Sequence, residues 1–251
     1  MSTVTVRDLW MEYPNQVVLE RVNLEIPSGE FCALVGPSGC GKTTFLRLLL
    51  GEERPTRGAI ELDGAPLVAE PGPDRGVVFQ RYSVFPHLTV LENVILGREF
   101  QGSRFLGRLF GARRRAAMDE ARGVLDAVGL GNHLGKYPAE LSGGMQQRLA
   151  IAQALILKPK VLLLDEPFGA LDAGTKAQMY ELLLRLWAEE KMTVFMVTHD
   201  LKEGFTLGTR VLAFDKVRVD PTDPGAFGAT VTYNLPLTEK KVVGARLQAV
   251  G

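Results

Sequence analysis

The stretch that most constrains this chain is Gly36-Pro37-Ser38-Gly39-Cys40-Gly41-Lys42-Thr43. It follows the apolar run Phe31-Cys32-Ala33-Leu34-Val35 and leads into an apolar segment from about Gly41 to Leu50. The spacing fits G-x-x-x-x-G-K-[ST], placed between a buried strand and a helix. Glycines let successive N–H groups turn inward on an anion, and the helix start adds the positive end of its dipole. Lys42 can reach the β- and γ-oxygens of a triphosphate, and the Thr43 hydroxyl can ligate Mg²⁺. A bare glycine-rich turn is the competing explanation, and the strand before it and helix after it argue against that.

The rest of the pattern extends this unit. Residues 3–35 alternate with period two and read as antiparallel strands, broken at Tyr13–Gln16 and Pro27–Glu30. Residues 59–79 read as short strands ending at Val77-Val78-Phe79, and residues 88–156 turn helical. Strands return at Val161–Leu164, Val194–Val197 and Val211–Phe214, separated by helices at about 175–190 and 200–207. Alternating strands and helices imply right-handed βαβ units and a mostly parallel sheet, so the helical stretch reads as an insertion. Asp220–Gly225 reads as a turn-forming linker, followed by a strand at Ala229–Leu235.

Composition removes several classes. The 251 residues carry 29 Lys+Arg against 29 Asp+Glu, so no global basic field exists for nucleic acid. At 46% hydrophobic the chain is too apolar to be disordered. Cys32 and Cys40 do not make a disulfide framework, which suggests a reducing compartment. No run approaches the roughly 18–20 apolar residues of a membrane span, and the first residues do not form a secretory signal. The expectation is a soluble, cytoplasmic protein.

Two further motifs carry chemistry. Val161-Leu162-Leu163-Leu164-Asp165-Glu166 is an apolar strand ending in two carboxylates, and period two would place them on opposite sides. Asp165 then suits a Mg²⁺ shell and Glu166 a general base acting on water. Leu141-Ser142-Gly143-Gly144-Met145-Gln146-Gln147-Arg148 opens an apolar helix, which makes a second anion site at a helix start. A plain N-cap by Ser142 is the simpler alternative. The chain thus has two phosphate-binding helix starts and one lysine-bearing loop.

These motifs resemble the ATP-binding cassette (ABC) family, whose signature reads Leu-Ser-Gly-Gly-Gln; Met145 stands where that signature has glutamine. The resemblance runs from about residue 3 to 217. It takes in Gln80, Ala170-Leu171-Asp172, and His199 in Val197-Thr198-His199-Asp200, with Tyr13 where the family stacks an aromatic on adenine. It implies an α/β P-loop NTPase core (1–87 and 157–217) with an N-terminal antiparallel β subdomain. A helical insertion (88–156) and a short C-terminal extension (218–251) complete the expected domain. ATP and Mg²⁺ are the implied cofactors. Residues 36–44, Thr44 included, with Tyr13, Ser142, Gly143, Gly144 and Asp172, would bind nucleotide. Thr43, Gln80 and Asp165 would hold the metal, and Glu166, His199, Gln80 and Lys42 would serve hydrolysis. The family forms head-to-tail homodimers in the ATP-bound state, so Lys42 of one chain would face Ser142 and Gly144 of the other.

Within the family, 99 residues separate Thr43 from Ser142, which leaves no room for a long coiled-coil insertion. A single cassette argues against tandem translation factors, and the absence of spans against fused exporters. Glu70–Gln80 and Asp165–Asp172 resemble the motors of nitrate, sulfonate and taurine importers. That implies an integral membrane permease as partner, a solute-binding protein acting indirectly, no nucleic acid, and a peripheral place on the cytoplasmic face of the membrane. The transported solute stays open, small nitrogen compounds included. A cytoplasmic ATP-dependent switch outside transport is the alternative. Tyr82, Val84, Phe85 and Pro86 are expected to rim the groove for a permease helix. Residues 98–115 hold six arginines (98, 104, 108, 113, 114, 115) against Glu99 alone. They are expected to meet permease loops or anionic headgroups, unless they form a solvated loop. No large regulatory domain is expected in the 34 residues after position 217.

Overall fold

The computed structural model describes residues 2–80, 83–102 and 107–237. Two sheets hold the chain. The first is antiparallel and is built from β1 (Val4–Tyr13), β2 (Gln16–Ile26), β4 (Arg57–Leu62) and β5 (Ala65–Pro66), in the order β2-β1-β4-β5. The second contains β3 (Phe31–Val35), β6 (Arg75–Val78), β7 (Val161–Asp165), β8 (Thr193–Val197), β9 (Arg210–Asp215) and β10 (Thr230–Pro236). Its order is β10-β9-β3-β8-β7-β6, parallel throughout except for β10 on the edge. The antiparallel reading of residues 3–35 therefore stops at Ile26: Phe31–Val35 pairs in parallel with β8 and β9 in the middle of the second sheet. A strand buried on both faces carries no polar alternation by which sequence could assign its sheet.

Period two divides that sheet between two cores. On β3, Phe31, Ala33 and Val35 face one core while Cys32 and Leu34 face the other; β7 and β8 divide in the same way. The first core is covered by α2 (Val90–Gly102), α3 (Gly111–Ala127), α4 (Gly143–Leu155) and α5 (Ala173–Glu190). In the second, α1 (Lys42–Leu50) lies between the two sheets and buries Phe45, Leu46, Leu48 and Leu49. Phe45 packs against Phe195 and Phe214, with ring centroids at 6.3 and 5.3 Å. Full burial of each such ring contributes roughly 1.5–3 kcal/mol, and this holds the helix that follows the glycine loop against the sheet.

The segment before β10 ties the sheets together. Glu20 N–H donates to the Ala229 carbonyl at 2.9 Å, Ala229 N–H to Val18 at 2.9 Å, and Val17 N–H to Gly225 at 2.8 Å. Among the described residues no helix is long and apolar enough to cross a membrane. Both cysteines are free and buried.

The basic segment is partly neutralised within the fold. Arg98 pairs with Glu120 on α3 at 2.6 Å, and Arg114 pairs with the buried Glu99 at 3.3 Å. Arg113, Arg114 and Arg115 belong to the first turns of α3. Because Glu120 lies outside the segment, its pairing with Arg98 means that the count of six arginines against Glu99 overstates the charge presented outward. Arg104 and Tyr82 lie outside the described residues.

Candidate nucleotide site

The glycine loop leaves β3 and reaches α1 through three positive-φ glycines, Gly36 (148°), Gly39 (77°) and Gly41 (90°). A Cβ on Gly36 would stand 2.1 Å from the Phe214 carbonyl oxygen of β9, so only glycine fits there. Gly41 is the N-cap of α1 rather than its first residue, and no side chain caps that end. The first-turn N–H groups are thus left for an external anion, as a phosphate requires. Lys42 is buried, and its Nζ donates to the carbonyls of Gly36 and Pro37, both at 2.8 Å, and to Cys40 Sγ at 3.6 Å. The ammonium is held inside the curl of the loop.

Thr43 Oγ1 donates to Asp165 Oδ1 at 3.1 Å. Burial raises the Asp165 carboxyl above the usual range, against the Thr43 hydrogen bond, which lowers it; the adjacent Glu166 charge pushes the same way as burial. Asp165 and Glu166 do have different partners, but strand alternation is not the cause. β7 ends at Asp165, and Glu166 takes the left-handed region at φ 46°. Its N–H donates to the Val197 carbonyl at 3.1 Å, which fixes the turn. A non-glycine residue in that region costs of order 1–3 kcal/mol, a strain that concentrates at functional sites. Glu166 Oε2 accepts from Gln80 Nε2 at 3.1 Å and lies 3.5 Å from His199 Nδ1. The fold thus gathers the glycine loop, Thr43, Gln80, Asp165, Glu166 and His199 at the C-terminal ends of the parallel strands, where open α/β sheets bind ligands.

Tyr13 closes β1. Its hydroxyl donates to Glu53 Oε2 at 2.6 Å, and burial followed by the Glu53 contact raises its pKa. Thr44, the second threonine of α1, also faces that hydroxyl. Tyr13 is 41% exposed, as a side chain that stacks on a base must be.

Ser142 caps α4, accepting from Met145 N–H at 3.4 Å, with Gly143 and Gly144 opening the helix. Asp172 caps α5 through Thr175, whose N–H and hydroxyl donate at 3.0 and 2.6 Å and lower the carboxyl's pKa. The two caps adjoin, since a Cβ on Gly144 would stand 2.5 Å from Thr175 Cγ2. Among the described residues no hydrogen bond or ion pair joins Ser142, Gly143 or Gly144 to the glycine loop. One chain brings the lysine-bearing half together and holds the second helix start apart from it.

Of the expected groove rim, Val84 packs on the core, while Phe85 is 42% exposed and Pro86 is exposed. Asn93 of α2 fixes that loop, accepting from Phe85 N–H at 2.8 Å and donating to the Phe85 and Leu88 carbonyls. Asn93 and Glu203 match no motif, and Thr198 enters the sequence reading only as the neighbour of His199.

A phosphate cradle on a parallel α/β sheet, with a threonine–aspartate pair and a carboxylate beside it, defines a P-loop nucleotide-binding protein. More particularly, the chain belongs to the ABC transporter family, whose model matches residues 19–169. It is 45% identical over 224 residues to the nitrate import ATP-binding protein NrtD of Synechocystis, covering 89% of this chain and 78% of that one. It is 44% identical to the bicarbonate transport ATP-binding protein CmpC of Synechococcus elongatus, covering 90% of this chain but only 32% of CmpC. Aliphatic sulfonates import ATP-binding protein SsuB 1 of Burkholderia lata is 44% identical, with 89% of this chain and 64% of that protein covered. The dimeric ABC cassette MJ0796 superposes with a TM-score of 0.76 at 30% identity, over 94% of this chain and 99% of that one. A post-hydrolysis dimer of MJ0796 holding ADP and phosphate matches at 0.74 and 30%, with the same coverage. The chain is an ABC-type ATP hydrolase.

Proposed function

We propose that this chain is the ATP-hydrolysing motor of an importer for a small solute, working as a head-to-tail dimer on a separate integral membrane permease. The observation that carries the dimer is the division of the site: Lys42 stands at one phosphate-binding helix start, and Ser142 caps another that no polar contact joins to it. A second copy supplies Ser142 and Gly144 to the first copy's triphosphate, which accounts for two anion sites and one lysine. The relatives named for nitrate, bicarbonate and sulfonate support a small anionic solute; a solute-binding protein would deliver it to the permease, with this chain acting on the permease from the cytoplasmic face. A dimerising switch outside transport finds no support in those names. The division into core (1–87, 157–217), helical insertion (88–156) and extension (218–251) is part of the same reading.

The residues present fit Mg²⁺. Thr43 Oγ1 and Asp165 Oδ1 are two oxygen donors 3.1 Å apart, with the remaining shell left to phosphate and water, as this cation prefers. Gln80 has its amide nitrogen engaged by Glu166 and keeps its carbonyl oxygen for that shell. When bound, the ion neutralises charge on the β- and γ-oxygens.

Lys42 exchanges the Gly36 and Pro37 carbonyls for phosphate oxygens. Gly39 and Gly41 turn backbone N–H groups on the same anion, and Tyr13 stacks on the base. Glu166 accepts a proton from the attacking water, and His199 orients the γ-phosphate and that water from the other side. Co-expression with a candidate integral membrane permease, followed by reconstitution in proteoliposomes, tests the reading. ATP hydrolysis should rise with nitrate, bicarbonate or an aliphatic sulfonate in the presence of the matching binding protein. A chain that hydrolyses ATP but retains no integral membrane partner on purification contradicts it.

A further inference from the structure

Glu203 is a buried carboxylate outside every motif, 5% exposed on α6 (Leu201–Leu207). Three donors converge on it. The Thr198 hydroxyl donates to Oε2 at 2.6 Å, while Lys176 Nζ and the Tyr180 hydroxyl donate to Oε1, both at 3.0 Å. Thr198 is 1% exposed and immediately precedes His199. Its hydroxyl also accepts from Asp200 N–H at 3.1 Å, and its own N–H donates to the Leu34 carbonyl of β3 at 3.1 Å. The residues on both sides of His199 are therefore tied to one hydroxyl, and that hydroxyl to Glu203.

The second arm runs through α5. The Tyr180 ring meets Phe168 edge-on, centroids 4.9 Å apart, and Phe168 is fully buried two residues after Glu166. Lys176 lies one turn after the Asp172 cap, its N–H donating to the Asp172 carbonyl. Glu203 thus stands between the loop carrying His199 and the turn carrying Glu166, whose side chains meet at 3.5 Å. A buried, fully hydrogen-bonded carboxylate resists displacement, because losing one partner leaves charge desolvated and unpaired.

We propose that Glu203 is a positioning residue for hydrolysis: through Thr198 it fixes the His199 loop, and through Tyr180 and Phe168 the Glu166 turn, keeping the two side chains in register. This rests on the reading that His199 and Glu166 act in the hydrolytic step. Among the described residues neither Thr198 nor Glu203 hydrogen-bonds the glycine loop or Tyr13, so the brace governs turnover more than nucleotide affinity. Misplacement by about 1 Å costs roughly 100-fold in rate.

The experiment measures steady-state ATP hydrolysis by the full chain for His199→Ala, Thr198→Val, Thr198→Ser, Glu203→Ala and the Thr198→Val/His199→Ala double variant. Thr198→Val and Glu203→Ala should each lower kcat about 10–100-fold with KM for ATP within about twofold. Thr198→Ser, which keeps the hydroxyl, should stay within about threefold of the parent. The double variant should be no slower than His199→Ala alone, because residues acting as a unit are non-additive. Losses that multiply, or a Thr198→Val kcat equal to the parent's, overturn the brace. If His199→Ala itself keeps its kcat, the reading beneath fails and the brace with it, a result distinct from a failing Thr198 series. If Glu203→Ala does not fold, the Thr198 pair decides, since valine keeps the volume without the hydroxyl and serine keeps the hydroxyl without the methyl.

Discussion

Replacing Glu166 with glutamine removes a base and little else. The side chain keeps its length, and the amide oxygen can still accept from Gln80 Nε2, now at 3.1 Å. The contact given up is the 3.5 Å approach of His199 Nδ1, whose side chain is 67% exposed. An ion pair in that position contributes between zero and about 1 kcal/mol. The thermal midpoint should therefore move by about 4 °C at most in a chain of this size. The left-handed backbone at position 166 is as acceptable to Gln as to Glu, so the turn persists. Catalysis is another matter. A positioned base contributes roughly 10²–10⁴-fold, which is about 2.7–5.5 kcal/mol of barrier. Phosphate release by Glu166→Gln should fall by that factor while the affinity for a fluorescent ATP analogue stays within about twofold, because the glycine loop and Tyr13 are untouched. A kcat loss below tenfold would move the base elsewhere, and a parallel loss of affinity would show that the variant had disturbed the cradle.

Two further substitutions follow from the geometry. Burial holds the Asp165 carboxyl above its ordinary pKa, so its ionised form costs the folded state stability. The cost is absent below the ordinary carboxylate pKa and complete above the raised folded value. Asp165→Asn should raise the thermal midpoint of the nucleotide-free chain at pH 7–8, the gain vanishing toward about pH 4, and should weaken Mg²⁺-dependent ATP binding on the order of tenfold or more. Differential scanning fluorimetry across pH and nucleotide titration read both; an unchanged midpoint would refute the burial argument. Gly144→Ala places a methyl 2.5 Å from Thr175 Cγ2 and must separate the two adjoining caps. It should cut hydrolysis on the order of tenfold or more and weaken ATP-driven dimerisation, read by size-exclusion chromatography, while ATP binding to the single chain, carried by the Lys42 loop, persists in the same titration.

Much of this site was legible because its chemistry is local. The glycine loop, the strand ending in Asp165, and the helix start after Leu141 each lie in one short segment whose spacing states its geometry. Less visible was anything that depends on a backbone turn or a distant partner. Glu166 escapes strand alternation by a left-handed φ that no side-chain pattern reveals in a non-glycine residue. Arg98 and Glu120 pair only because α2 and α3 pack together, so the basic segment looked more charged in sequence than it is in the fold. Glu203 reads as an ordinary acidic residue in a helix's first turn until Thr198, Lys176 and Tyr180 are brought to it. Bicarbonate was not among the solutes suggested by the motifs, because the cassette itself holds no solute site from which to read one.

The central claim is that Lys42 and Ser142 serve one triphosphate from two different chains. Chains carrying Lys42→Ala and Ser142→Arg should each be inactive alone. Mixed in equal amounts with MgATP, they should recover up to about a quarter of the parent's hydrolysis, since half the dimers are mixed and each mixed dimer has one intact site of two. A mixture no more active than either variant alone would place both residues in the same chain's site and contradict the account.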